Sequence, residues 1–219
     1  MPNARPRSRR PGRPAARGGA ALRDRVLDAA VLLIARQGAA GTTSSAIARR
    51  ARVTPALLHY YFGSKARIID ALFAERIDPV FTRIMSPLRA DAAGGEFSLQ
   101  RLVHSFIEGV SAEPWLPQIL AREVLSEGGV LRARFVEQRR PMAQRLVRAM
   151  QAAQAAGRVR ADLDARLIVL SMMSAIVYPL VAAPVWRELL PLRVEETTPA
   201  KLAAHVARVL ERGLEGEHA

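Results

Sequence analysis

Residues Thr42–Lys65, TTSSAIARRARVTPALLHYYFGSK, decide how the rest of the chain is read. Hydroxyl side chains suited to helix caps open three successive segments: Thr42 and Thr43, then Thr54 followed by Pro55, then Ser64 after Gly63. The first segment turns Ile47, Ala48 and Ala51 inward and Ser44, Ser45, Arg49 and Arg50 outward. In the second, Leu58 and Phe62 fall on the buried face, while Thr54, Ala56, Leu57, His59 and Tyr60 face outward or edge-on. Apolar and aromatic side chains on the outer face of a short helix make a poor solvated surface and suit a duplex groove. In the third, Lys65 and Arg67 stand in a helical first turn, where cations oppose the helix dipole unless an anion such as a phosphate joins them. The stretch therefore reads as two short helices joined by a tight turn, with a third helix starting at once.

Upstream, Leu22, Val26, Leu27, Ala30, Leu33 and Ile34 recur at three- and four-residue steps, predicting an amphipathic helix from Leu22 to Gln37 that Gly38 stops. Charge sharpens the reading. The net charge is +13, but residues 1–70 hold 14 Arg or Lys against 3 Asp or Glu, whereas residues 71–219 hold 19 against 17. A basic module on a near-neutral body is the electrostatic footprint of polyanion binding. Residues 1–21 add Arg5, Arg7, Arg9, Arg10, Arg13 and Arg17 among Pro, Gly and Ala, and read as a disordered Arg-rich arm able to follow phosphates or enter a minor groove.

The pattern Val53 to Lys65, preceded by Thr43 to Ala48 and by the helix Val26 to Gly38, closely resembles the DNA-binding domain of the TetR family of bacterial transcriptional regulators, over about residues 22–75. The resemblance implies roles for the matching positions. Ser45, Thr54, Pro55, Ala56 and Leu57 would approach bases, and Thr43, Ser44, His59, Tyr60, Tyr61 and Lys65 would hold phosphates. Tyr61 stands where histidine is common in the family. The second helix lacks Arg, Asn and Gln, so direct readout should lean on thymine methyls, hydroxyls and His59, with DNA shape supplying more.

Beyond this module the apolar periodicity stays helical. Ile68 to Met85 predicts a helix that Pro79 should bend or break, Phe97 to Gly109 another, and Leu131 to Met150 a longer one with Pro141 as a kink. Leu167 to Trp186 carries no charge, yet Pro179 and Pro184 interrupt it and its flanks show no polybasic side, so it reads as an interface helix rather than a membrane span. Thr198-Pro199 opens a final amphipathic helix. By family resemblance the last two helices, about 163–187 and 198–214, form a homodimer interface. Phe106, Trp115, Met142, Met172, Met173 and Tyr178 are candidate lining for a small apolar or amphipathic effector.

The expected architecture is all-α: a three-helix helix-turn-helix domain over 22–69, then a larger helical ligand-binding and dimerisation domain over 70–219. No nucleotide loop, metal-ligand spacing or catalytic set is present in the sequence, and His59, His104, His205 and His218 are scattered, so neither enzyme activity nor a cofactor is expected. The absence of cysteine suits a reducing cytoplasm. The expected function is a ligand-responsive repressor that binds double-stranded DNA at a palindromic operator as a homodimer. The alternative is a sequence-tolerant architectural DNA binder, whose affinity would come almost wholly from the basic third.

Overall fold

The alanine-rich run before Leu22 extends the first helix instead of preceding it. In the computed structural model, which describes residues 15–88, 98–190 and 197–215, α1 spans Ala15–Gly41. The expected arm is therefore helical from Ala15 onward; Ala15, Ala16, Ala20 and Ala21 favour propagation of a helix already held by its packed Leu22–Ala35 face. Residues 1–14, which carry most of the arm's arginines, lie outside the described residues. Gly38, at φ 80° and ψ 161°, breaks the regular helix in a conformation nearly reserved for glycine.

Three capped helices follow as expected. Thr43 Oγ1 accepts from the Ala46 N–H at 3.1 Å and opens α2, Ser44–Ala51. Thr54 Oγ1 accepts from the Leu57 N–H at 3.2 Å and opens α3, Pro55–Phe62. Ser64 Oγ accepts from the Arg67 N–H at 3.3 Å and opens α4, Lys65–Leu72. Helix α1 packs on α2 and α4, α2 on α3, and α3 on α4. Their shared core holds Val26, Leu27, Ile34, Ile47, Leu58, Phe62 and Ile68, each large side chain contributing about 1.5–3 kcal/mol by leaving water.

Helix α4 runs on through a π-helical turn, π1 (Phe73–Ile77), into α5 (Asp78–Ile84), without a loop at the expected domain boundary. Pro79 neither ends this rod nor leaves an orphan. The Glu75 carbonyl, four residues back and deprived of its usual donor, accepts from Arg76 Nη1 at 3.1 Å. Ion pairs clamp the rod on two sides. Arg23 holds Glu75, and Arg76 holds Asp24 and Asp28, tying it to α1. Arg134 reaches Asp70 over the Phe73 ring, and Arg139 reaches Asp78 over the Phe81 ring, tying it to α8 (Arg132–Ala155).

The body begins with α6, Leu99–Ser111, capped by Ser98. It crosses α5 so closely that a Cβ on Gly109 would lie 2.5 Å from Ile84 Cγ1. A short α7, Leu116–Ile119, runs into a second π turn, π2 (Leu120–Leu125), which packs on α1 and α8. Helix α8 stays continuous through Pro141. Helix α9 (Ala165–Val181) packs on α8, α6, α7 and the final helix α11 (Pro199–Leu214), and α11 lies along α6. After α9 the chain bends by 73° into α10 (Ala183–Leu189), so no single helix among the described residues is long and apolar enough to cross a membrane.

Candidate nucleic-acid interface

Capping fixes the directions of α2 and α3, and the turn between them fixes their relation. That turn depends on Arg52, whose backbone is left-handed (φ 55°, ψ 47°) while its N–H closes α2 onto the Ala48 and Arg49 carbonyls. Leu58 and Phe62 anchor α3 inward, and the Arg23 guanidinium lies 4.8 Å from the Phe62 ring centre. A hydrogen bond to Glu75 is the main cause raising the pKa of Arg23. Burial works against the charge on Arg76, but hydrogen bonds to Asp24 and Asp28 outweigh it and its pKa rises too. Both cations therefore stay charged at any working pH and hold α1 against the rod.

With that scaffold in place, all five positions expected to meet bases are exposed: Ser45 on α2, the Thr54 cap, and Pro55, Ala56 and Leu57 on the first turn of α3. The Thr54 hydroxyl oxygen is engaged with the Leu57 N–H, leaving its O–H free to donate. Of the positions expected to meet phosphates, Thr43, His59, Tyr60 and Tyr61 are exposed and Ser44 is half-buried. Tyr60 is 82% exposed and meets Tyr61 edge-on at 5.4 Å. An aromatic so unprotected by its own fold is a side chain waiting for another surface. Tyr61 also faces the start of α1, where a Cβ on Gly19 would lie 3.4 Å from its hydroxyl.

Lys65 has a more particular placement. It is half-buried, and its Nζ donates to the Ala39 carbonyl across 26 positions of sequence. An ammonium has three donors, so a phosphate can share it, but its first partner is the last turn of α1, beyond the break at Gly38. That turn is also held from the other side. Glu123, on π2 and only 3% exposed, accepts from the Ala39 N–H through Oε1 at 2.7 Å. Sequence reading missed Glu123. Its signal is a carboxylate placed three residues after Leu120 and four after Ile119, on a face otherwise apolar.

The candidate effector residues belong to or pack against the core, except Tyr178. Phe106 and Met172 are core, and Trp115, Met142 and Met173 are half-buried. Trp115 Nε1 donates to Glu113, and Tyr178 is exposed beside Trp186. An open cleft of about 640 Å³ lies elsewhere, between Arg132, Val136, Glu137 and Arg140 of α8 and the loop at Glu127 and Gly129.

Comparison with known proteins agrees with this layout. The family profile for bacterial regulatory proteins of the tetR family matches residues 26–72, and that for the tetracyclin repressor-like C-terminal domain matches residues 96–212. The HTH-type transcriptional repressor NicS of Pseudomonas putida is 32% identical over 48% of this chain and 50% of its own length, so the chain spans about half of that relative. The ketosteroid transcriptional regulator KstR2 of Mycobacterium tuberculosis has a similar fold, with a TM-score of 0.68 at 20% identity over 94% of this chain and 98% of that one. So does AibR, solved with isovaleryl coenzyme A and operator DNA, with a TM-score of 0.65 at 17% identity over 86% and 97%. Three capped helices and a helical body, together with a profile covering more than half its length, place this chain in the TetR family of bacterial regulatory proteins.

Proposed function

We propose that the chain is a DNA-binding transcriptional regulator that represses by placing two copies of α3 in successive major grooves of a palindromic operator. The observation that carries this reading is the exposed face of α3, where Leu57, Tyr60 and Tyr61 all reach solvent, Tyr60 most of all, and the surrounding third holds nearly all the excess positive charge. Thr54, Pro55, Ala56 and Leu57 meet base edges and thymine methyls, with Ser45 beside them. Thr43, Ser44, His59, Tyr60, Tyr61 and Lys65 hold phosphates and set the register. Relatives named as repressors and regulators support the assignment.

Two-fold symmetry comes from a second copy docked on α9 and α11. Leu167, Leu170 and Tyr178 form one exposed row at helical spacing on α9, and Val209 is exposed on α11. Such a row is a poor solvent face and a good isologous interface. Dimer symmetry then sets half-site centres about one helical turn apart, or a multiple. An apolar or amphipathic effector bound in the body releases the operator by preferring a different spacing of the two heads, to the extent of its differential affinity. AibR, whose structure holds both a coenzyme A thioester and operator DNA, supports an effector of this general kind.

The test of DNA reading is Ala56→Glu, which adds a carboxylate to the exposed first turn of α3. Duplex affinity should fall at least about tenfold, equivalent to ~1.4 kcal/mol, with an unchanged melting temperature. Unchanged affinity would exclude α3 as the reading helix. Effector response is checked by thermal-shift screening with apolar and amphipathic compounds; each compound that raises the melting temperature should also release DNA.

A further inference from the structure

Glu123 is a buried carboxylate that the DNA-reading surface does not use. It sits at 3% exposure in π2, and among the described residues no cation pairs with it. A carboxylate carried so far from water needs donors, and it has two. Oε1 accepts from the Ala39 N–H in the last turn of α1, just past the break at Gly38, at 2.7 Å. Oε2 accepts from the Leu131 N–H at the entry to α8, at 3.3 Å. One side chain thus joins the reading head to the body, 84 residues from one partner and 8 from the other.

The surroundings fit this bridge. Gly38 adopts φ 80°, and a Cβ there would stand 2.9 Å from Glu123 Oε1. Gly129 approaches from the body side, where a Cβ would stand 2.1 Å from the Glu123 carbonyl oxygen. Thr42, fully buried, donates through Oγ1 to the Gly38 carbonyl at 2.7 Å. The Ala39 carbonyl, on the far side of the residue that Glu123 holds, receives the Lys65 ammonium at the start of α4. A single residue of the turn is therefore gripped by the body through its N–H and by a proposed DNA contact through its carbonyl. The loop that supplies Leu131 also lines the open cleft, at Glu127 and Gly129.

We infer that Glu123 is the positioning residue through which head and body sense each other, a bridge that transmits displacement of π2 or the 126–131 loop to the end of α1 and Lys65. Its route runs beside the α4 rod rather than along it, and it rests on the reading of Thr42–Lys65 as a DNA-binding head. Linkage requires the reverse effect as well: DNA on the head must alter the body around Glu123.

The experiment is hydrogen exchange on the full chain, free and bound to a duplex selected from random DNA, for wild type, Glu123→Gln and Glu123→Asp. Gln is isosteric but presents an amide that cannot accept at one end, and Asp keeps the charge but falls one methylene short of spanning both N–H groups. In wild type the duplex should change exchange at residues 120–131 by about fivefold or more, and in both variants by less than about twofold, while each still binds the duplex. Wild-type exchange at 120–131 that ignores DNA overturns the inference. So does a wild-type response retained in both variants. Failure to select any duplex would instead count against the DNA-binding reading.

Discussion

Two neighbouring glycines separate backbone necessity from habit. Gly129→Ala drives a methyl group onto the Glu123 carbonyl oxygen, while at Gly128 a Cβ meets nothing within 4 Å. Gly129→Ala should cost about 1–3 kcal/mol, and Gly128→Ala should stay within about 0.5 kcal/mol of wild type, as measured by urea unfolding. Lys65→Ala should weaken binding to all duplexes alike and reduce the salt slope by about 1, read by fluorescence anisotropy across ionic strength. The caps Thr43, Thr54 and Ser64 were legible in the sequence because a cap acts within three residues of itself. The bonds from Lys65 and Glu123 to Ala39 were not, because they close over 26 and 84 residues and depend on how α1 meets the body.

At the scale of elements, the rod from α4 to α5 depends on which of its ion pairs are sheltered. The Arg139 side chain is 15% exposed, lies 4.3 Å from the Phe81 ring centre and meets Asp78, whereas Arg160 and Asp162 pair in the open. Double-mutant cycles should give about 1 kcal/mol for Arg139 with Asp78, and no measurable coupling for Arg160 with Asp162. The α9 cap adds a pH test. The side chain of Arg166 and its backbone N–H hold the Asp164 carboxyl well below the ordinary carboxylate range. A folded-state pKa lowered in this way gives stability that is present above the unfolded value of about 3.9 and lost as pH falls through the folded one. The exposed cap should therefore leave thermal stability flat from pH 5 to 8, on the order of a routine thermal melt's scatter. Helix existence was readable from apolar periodicity, but the two π turns were not, since a five-residue step such as Leu72 to Ile77 differs by only one residue from the four-residue step of an α-helix. Pro79 is accommodated where the π turn gives way to α5, with Arg76 reaching the Glu75 carbonyl.

For the whole molecule, the sequence indicated an all-helical chain with a basic head, and the structure supplies how the head is seated, through ion pairs between the rod and both α1 and α8, and through one carboxylate at the end of α1. Met and aromatic residues at helical spacing fill a core as readily as they line a pocket, and Phe106 and Met172 are buried core here. Assembly is testable directly. Leu170→Glu places a charge in the middle of the exposed α9 row and should convert a dimer to a monomer by light scattering, with helical content unchanged. The most direct test of the central claim is selection of bound duplexes from random DNA. The account predicts an inverted repeat with half-site centres about one helical turn, roughly 10 base pairs, apart or a multiple of that. A bound pool that stays random while affinity falls steeply with salt would contradict it.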